Sequence, residues 1–154
     1  MPNQTVKREN SLDSMRNEEL FNAVIAGDVP GVHAALQNGA DVNWKSNDDI
    51  SGVTPLYMAC HWGHSTIVEM LVNANADVNM ANDYGETPLS VASSIGDSTI
   101  VEMLLNANAD VNIAQDDGFT PLQTACSFGH STIVEMLVKS NADVNIANCD
   151  GSTP

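Results

Sequence analysis

Basic residues are scarce in this sequence. Five Lys and Arg residues stand against twenty Asp and Glu residues, so the formal net charge at pH 7 is −15. Binding to the phosphates of nucleic acids or to anionic membrane surfaces depends on clusters of Lys and Arg. Both classes of partner are therefore disfavoured. The negative charge either attracts a partner protein with a basic surface or serves only solubility.

Long apolar stretches and cysteine are also scarce. Residues 1–20 have no apolar segment of the kind that a secretory signal peptide needs. No run of residues approaches the roughly 20 apolar residues of a membrane-spanning helix. The three cysteines, an odd number, fit reduced thiols. We therefore expect a cytoplasmic protein, with the nucleus as the alternative location.

What the sequence has instead is a fixed period. Thr-Pro-Leu begins at residues 54, 87 and 120 and Thr-Pro returns at 153, in steps of 33 residues. Ala-Asp-Val-Asn recurs at 40–43, 76–79, 109–112 and 142–145. A period of this length is the signature of a solenoid built from stacked repeats.

Each repeat predicts two short helices. Thr54 suits a helix N-cap, because its hydroxyl can accept a hydrogen bond from a free backbone N–H. Pro55 then occupies the first helical position, where its missing N–H costs nothing. Gly63 ends this helix. We expect the second helix over about 65–74, with the apolar stripe of an amphipathic helix on one side.

The ends of the second helix are less uniform in sequence. Its N-cap is either Thr66, in a capping box with Glu69, or His64. Its last turn needs a residue in the left-handed conformation, for which glycine is the usual choice and asparagine the next. The first repeat has Gly39 there, and the others have Asn75, Asn108 and Asn141.

These phased motifs resemble the ankyrin repeat. The matching residues are Gly52-x-Thr54-Pro55-Leu56-x-x-Ala59, Gly63-His64, Ile67-Val68-Glu69-x-Leu71 and Ala76-Asp77-Val78-Asn79. The resemblance covers roughly residues 17–154. It implies an all-α ankyrin-repeat solenoid of about four repeats, each with a helix-turn-helix and a β-hairpin finger. One departure is that the histidine usual after Thr-Pro-Leu is replaced by Tyr57, Ser90 and Gln123.

The same phasing divides the chain into segments. Residues 1–15 lack apolar periodicity and are expected to be a disordered or loosely attached lead-in. Residues 16–51 are expected to be a degenerate N-terminal capping repeat, whose extended finger holds three extra residues within 44–53. Repeats are then predicted at 52–84, 85–117 and 118–150, and the start of a further truncated repeat at 151–154.

The C-terminal end is expected to lack a cap. No polar terminal repeat follows Leu122, Ile133 and Leu137, which should therefore be uncovered. The chain is then either a monomer whose last repeat frays or part of a longer array.

Metal binding and catalysis are not expected. Cys60-His61-x-x-His64 and Cys126-x-x-x-His130 have suggestive spacings, but one whole repeat without Cys or His at these positions separates them. That distance is roughly 20 Å, since helices pack about 8–10 Å apart, so neither a zinc site nor a disulfide can form. Serines and aspartates recur with the repeat, whereas a catalytic site is built once from different groups. We expect no metal, no cofactor and no enzyme activity.

Binding is expected where the repeats differ. Trp62, Ile95 and Phe128 precede the repeat glycine and should stack into an apolar stripe, unless they pack against the neighbouring repeat. Acidic residues of the fingers surround this stripe, and these acids are either contact residues or ordinary turn residues. The resemblance implies that fingers and inner helices form the concave surface that binds proteins. The predicted partner-binding residues are Trp44, His61, Trp62, Asp83, Tyr84, Glu86, Ser94, Ile95, Asp116, Asp117, Phe119, Ser127 and Phe128.

Three functions are compatible with this pattern. The first is a protein–protein interaction module without chemistry of its own. The second is the substrate- or partner-recruiting region of a longer multidomain protein, such as an enzyme. The third is a structural spacer, which the aromatic residues in the variable positions disfavour.

Three asparagines are also candidates for modification. Each follows Asp-Val and has a leucine eight residues upstream, a pattern that resembles the one hydroxylated by the oxygen-sensing asparaginyl hydroxylase in ankyrin proteins. The alternative is that these asparagines hold the finger. The residues are Asn79, Asn112 and Asn145.

Overall fold

The structure is a computed structural model that describes the backbone of residues 3–46 and 52–154 and the side chains of residues 12–46 and 52–154. Eight helices follow one another in this part of the chain: α1 (Asn3–Ile25), α2 (Val29–Gln37), α3 (Pro55–His61), α4 (Ser65–Asn73), α5 (Pro88–Ile95), α6 (Ser98–Asn106), α7 (Pro121–Phe128) and α8 (Ser131–Lys139). None of these helices is both long and apolar enough to cross a membrane.

The helices form two stacked rows. Helices α1, α3, α5 and α7 contact one another in sequence and form the inner row. Helices α2, α4, α6 and α8 form the outer row in the same way, and each packs against the inner helix that precedes it. The fold is therefore an all-α repeat solenoid, as the period of the sequence predicts.

Threonine caps start three of the inner helices. The hydroxyl oxygen of Thr54 accepts a hydrogen bond from the backbone N–H of Tyr57 at 3.1 Å. Thr87 and Thr120 make the equivalent bond, and Thr120 also forms a complete capping box with Gln123. A proline follows each threonine at the first helical position. The predicted start of these helices is confirmed.

The outer helices start differently from one repeat to the next. His64 is the residue before α4, and its side chain makes no capping hydrogen bond. Asp97 stands at the same position before α6, and its carboxylate accepts from the backbone N–H groups of Thr99 and Ile100. Of the two N-caps that the sequence left open for α4, His64 holds the position, and a capping box with Thr66 does not form.

Asparagine ends the second helix of each full repeat in the left-handed conformation. The φ angles of Asn75, Asn108 and Asn141 are 64°, 62° and 65°. Gly39 occupies the same phase with φ 84°. The prediction is confirmed, because asparagine is the residue after glycine that best tolerates this region.

The fingers between repeats are turns, and each has one backbone hydrogen bond across its base and a second one within the turn, from Gly85 to Asn82 and from Gly118 to Gln115. The N–H of Asn82 donates to the carbonyl of Glu86, and the N–H of Gln115 donates to that of Phe119, each at 2.9 Å. No strand occurs in the described residues. The predicted β-hairpins are thus not seen, because these bonds close turns and do not form a ladder between paired strands.

The first helix begins earlier than the sequence suggested. We expected residues 1–15 to be disordered or loosely attached, but α1 starts at Asn3 and continues to Ile25. No Gly or Pro interrupts residues 3–26, so nothing breaks the helix once its second half packs against the core. Leu12 and Met15 are exposed. Of the segment 44–53 that holds the predicted insertion, residues 47–51 lie outside the described residues.

The core lies between the two rows of helices. Leu122, Ile133 and Leu137, expected to be uncovered at the C-terminal end, are in fact buried between their own helix pair and the preceding repeat. The last repeat instead exposes residues whose equivalents in the other repeats are covered by the next repeat. Val144 is 49% exposed, whereas its equivalents Val78 and Val111 are buried.

Candidate protein-binding surface

Three apolar side chains lie at the C-terminal ends of successive inner helices. Trp62 caps α3, and Ile95 and Phe128 are the last residues of α5 and α7. Their exposed fractions are 53%, 43% and 63%. Because α3, α5 and α7 are neighbours in the inner row, these side chains mark one edge of that row, which we call the inner edge.

An open depression of about 320 Å³ adjoins this edge between the third and fourth repeats. Six of its eight lining residues are among the predicted contact residues. Gln115 and Thr124 were not predicted. Thr124 looked like a core residue, because it has the same position in its repeat as the buried residues Met58 and Val91. The lining consists of Glu86, Ser94, Gln115, Asp117, Phe119, Thr124, Ser127 and Phe128.

Glu86 is held in place by two donors. The phenol of Tyr57 and the side-chain amide of Asn82 each donate to its Oε2 atom at 2.8 Å. Burial, and then the hydrogen bond and charge of Glu86, raise the pKa of Tyr57 above its usual value, so the phenol stays protonated and keeps donating. Glu86 is therefore both a wall of the depression and a link between two repeats.

The residue after Thr-Pro-Leu links its inner helix to the following finger in two of the three repeats. Tyr57 reaches Glu86, and Gln123 donates from its side-chain amide to the carbonyl of Ser152 at 2.7 Å. Ser90, the equivalent residue in the third repeat, is buried, and its hydroxyl has no hydrogen-bond partner among the described residues. The short serine side chain leaves this link unmade.

The remaining aromatic finger residues differ in exposure. Tyr84 is 60% exposed at the tip of its finger. Trp44 is half-buried and packs edge-on against Phe21, with 5.7 Å between the ring centroids. The structure thus places Trp44 mainly in the packing of the first repeat, and its role in binding stays a prediction. Phe119 is half-buried in the wall of the depression.

Polar contact residues flank the apolar ones. His61 is exposed, stacks on Tyr57 and meets Trp62 edge-on. The hydroxyl of Ser94 donates to the carbonyl of Val91 at 2.9 Å, and Ser127 is exposed. The acids at the finger tips, all exposed, are Asp83, Asp116 and Asp117.

The asparagines of Ala-Asp-Val-Asn form a ladder of hydrogen bonds along the fingers. The Oδ1 atom of Asn79 accepts from the backbone N–H of Asp110 in the next repeat, and Asn112 accepts from that of Asp143, both at 2.8 Å. Among the described residues Asn145 makes no such bond, and its amide donates to Asp143 in its own finger at 3.1 Å. Two of the three predicted modification residues therefore join repeats, and their hydroxylation stays a prediction.

The cysteine and histidine motifs do not come together. Cys60 is buried, and burial raises the pKa of its thiol. His61 and Cys126 are exposed. In the residues that the structure describes, no group of three or more His, Cys, Asp or Glu side chains could hold a metal ion.

Comparison with known proteins agrees with the geometry. The family model for ankyrin repeats, in three copies, matches residues 20–115 and 94–154. The chain belongs to the ankyrin repeat family. Its helix pairs, left-handed helix ends and finger ladder are the structural counterparts of the motifs that repeat along the sequence.

Curated relatives share short parts of this ankyrin repeat chain. Protein phosphatase 1 regulatory subunit 27 of Mus musculus is 34% identical over 82 residues, which are 51% of each chain. Arf-GAP with coiled-coil, ANK repeat and PH domain-containing protein 3 of Homo sapiens is 44% identical over 57 residues, 37% of this chain and 7% of the relative. Ankyrin repeat domain-containing protein 40 of Homo sapiens is 32% identical over 71 residues, 46% of this chain and 19% of the relative. The chain thus spans about half or less of the length of these relatives.

Proposed function

We propose that this ankyrin repeat protein binds a partner protein through the inner edge and the adjoining fingers, without catalysis of its own. The observation that carries the proposal is the exposure of Trp62, Ile95 and Phe128 at equivalent positions of three successive repeats. Large apolar side chains in such a row are costly to leave in water unless a partner covers them. Aromatic residues are also the most frequent hot spots of protein interfaces.

The charge of the chain supports a basic partner. The finger tips carry exposed aspartates beside the apolar row, and the formal net charge is −15. A basic surface would be steered toward this face and would associate more slowly at high salt. The family is a general protein-interaction fold, and one relative is named as a regulatory subunit of a protein phosphatase.

A recruiting region within a longer protein is the second candidate function. It is favoured by the small share of some relatives that the chain covers, 7% in the relative whose name includes coiled-coil and PH domains. The binding face would be the same in both cases. The two functions differ in what the partner is recruited to, so the binding experiment below applies to either.

Peptide selection tests the proposed face. A random-peptide phage library is panned against the purified chain, and the enriched peptides are measured against variants by calorimetry. Trp62→Ala should weaken binding by about 2 kcal/mol, a hot-spot loss, while it lowers folding stability by less than about 1 kcal/mol because the ring is mostly exposed. Met15→Ala is the matched control, since Met15 is 54% exposed but lies about ten residues before the C-terminal end of α1, which is about 15 Å along the helix axis.

The opposite result would contradict the proposal. If Trp62→Ala loses stability but binds the enriched peptides as tightly as the wild type, Trp62 is a packing residue and the inner edge is not the binding face. Failure to enrich any peptide, with the chain shown to be folded by circular dichroism, would also count against it.

A further inference from the structure

The depression between the third and fourth repeats combines carboxylates with aromatic rings. Glu86 and Asp117 supply the carboxylates, and Phe119 and Phe128 supply the rings. None of its eight lining residues is Lys or Arg. The surface is therefore apolar along part of its wall and negatively charged along another part.

Both carboxylates are positioned before any ligand arrives. Glu86 uses its Oε2 atom to accept from Tyr57 and Asn82, and no donor of the described residues reaches Oε1. Asp117 uses Oδ1 to accept a hydrogen bond from the backbone N–H of Phe119 at 3.1 Å, and no donor of the described residues reaches its Oδ2 atom. Acceptors that are already fixed lose little conformational entropy when a ligand binds.

The described cations of the chain are engaged elsewhere. Arg16 pairs with Asp13 at 3.0 Å on α1, and Lys139 lies 3.7 Å from Glu135 on α8. Lys45 donates to the carbonyl of Ala81 at 2.8 Å. No described Lys or Arg therefore neutralises the negative charge of the depression, and a cation from outside would complement it.

We propose that this depression receives the guanidinium group of an arginine side chain from the partner protein. The proposal rests on the proposed function and names the chemistry of the partner at one point of its surface. A guanidinium is planar, so it can stack on a phenylalanine ring while its N–H groups donate to a carboxylate. The ammonium of lysine can make the ionic contact, but it cannot stack in this way.

Titration followed by NMR tests the assignment directly. The ¹⁵N-labelled full chain is titrated with the capped peptide Gly-Arg-Gly and with versions that carry lysine or norleucine instead of arginine. The arginine peptide should give saturable shifts at the backbone amides of residues 115–119 and 127–128. The lysine peptide should bind about fivefold more weakly because it lacks the stacking contact, and the norleucine peptide should give no saturable shifts there.

Two isosteric variants separate the site from the general charge of the chain. Asp117→Asn should weaken binding of the arginine peptide about fivefold or more, because it removes a carboxylate from the depression. Asp110→Asn is the matched control. Asp110 is also an exposed finger aspartate that accepts a backbone N–H two residues on, but it does not line the depression. Asp110→Asn should change the dissociation constant of the arginine peptide by less than about twofold, because solvent and salt screen the charge of Asp110.

Three results would overturn the assignment. They are equal binding of the arginine and norleucine peptides, shifts centred on residues outside the depression, or equal effects of Asp117→Asn and Asp110→Asn. If any of these occurs while Trp62→Ala still weakens binding of the selected peptides, the arginine site is wrong but the proposed function remains supported. If Trp62→Ala also binds the selected peptides as tightly as the wild type does, the proposed function is contradicted by that separate result.

Discussion

The asparagine ladder allows a stability prediction with an internal control. Asn79→Ala and Asn112→Ala each remove a 2.8 Å hydrogen bond between repeats. Such a bond contributes about 0.5–1.5 kcal/mol to the free energy of unfolding. Asn145→Ala removes no bond between repeats, so it should change stability by less than about 0.5 kcal/mol.

Urea unfolding followed by circular dichroism measures the difference. With a denaturant slope of about 2 kcal/mol per molar urea, a loss of ~1 kcal/mol moves the midpoint by about 0.5 M. Hydrogen exchange then locates the effect, because the amide of Asp110 should exchange faster in Asn79→Ala and that of Asp143 in Asn112→Ala. Equal midpoints for all three variants, or faster exchange only at the mutated finger, would refute the ladder as a link between repeats.

Three further outcomes are expected. Alkylation by iodoacetamide at pH 8 should modify the two exposed cysteines quickly and Cys60 only after denaturation, because burial raises the pKa of the Cys60 thiol and blocks access to it; fast labelling of all three thiols in the folded protein would contradict this. Ser93→Ala should stabilise the chain by about 1 kcal/mol, because the buried Ser93 hydroxyl has no partner among the described residues. Ser94→Ala is the control, because it loses the hydrogen bond to Val91 and should not stabilise the chain. Identical melting temperatures for the two variants would show that the buried Ser93 hydroxyl does not lower stability. Amide protons of α7 and α8 should exchange faster than those of α4 and α6, because the last repeat has a neighbour on one side only; equal protection in a proven monomer would show that end effects are negligible.

Residues that act within one repeat could be predicted from the sequence. The threonine caps, the prolines at the first helical positions and the left-handed asparagines all depend on contacts within a few residues along the chain. Local backbone geometry determines these contacts, and each signal was present three times. The fold class followed from their period.

Residues that act between repeats could be predicted only in part. Tyr57 and Glu86 belong to different repeats, and only the stacked structure brings the phenol within 2.8 Å of the carboxylate. Glu86 therefore looked like a free contact residue, although it also links repeats. Trp44 likewise looked like a finger residue, but its ring packs against Phe21.

The sequence by itself determined the repeat, its helices and their caps, because each is specified by a short motif that folds in the same way wherever it occurs. Tertiary structure decided which of the predicted contact residues line one depression and which unpredicted residues join them. The depression brings together residues from 86 to 128, and its shape depends on how far one repeat is rotated and shifted against the next. That geometry follows from the packing of whole helices, which no motif within a single repeat specifies.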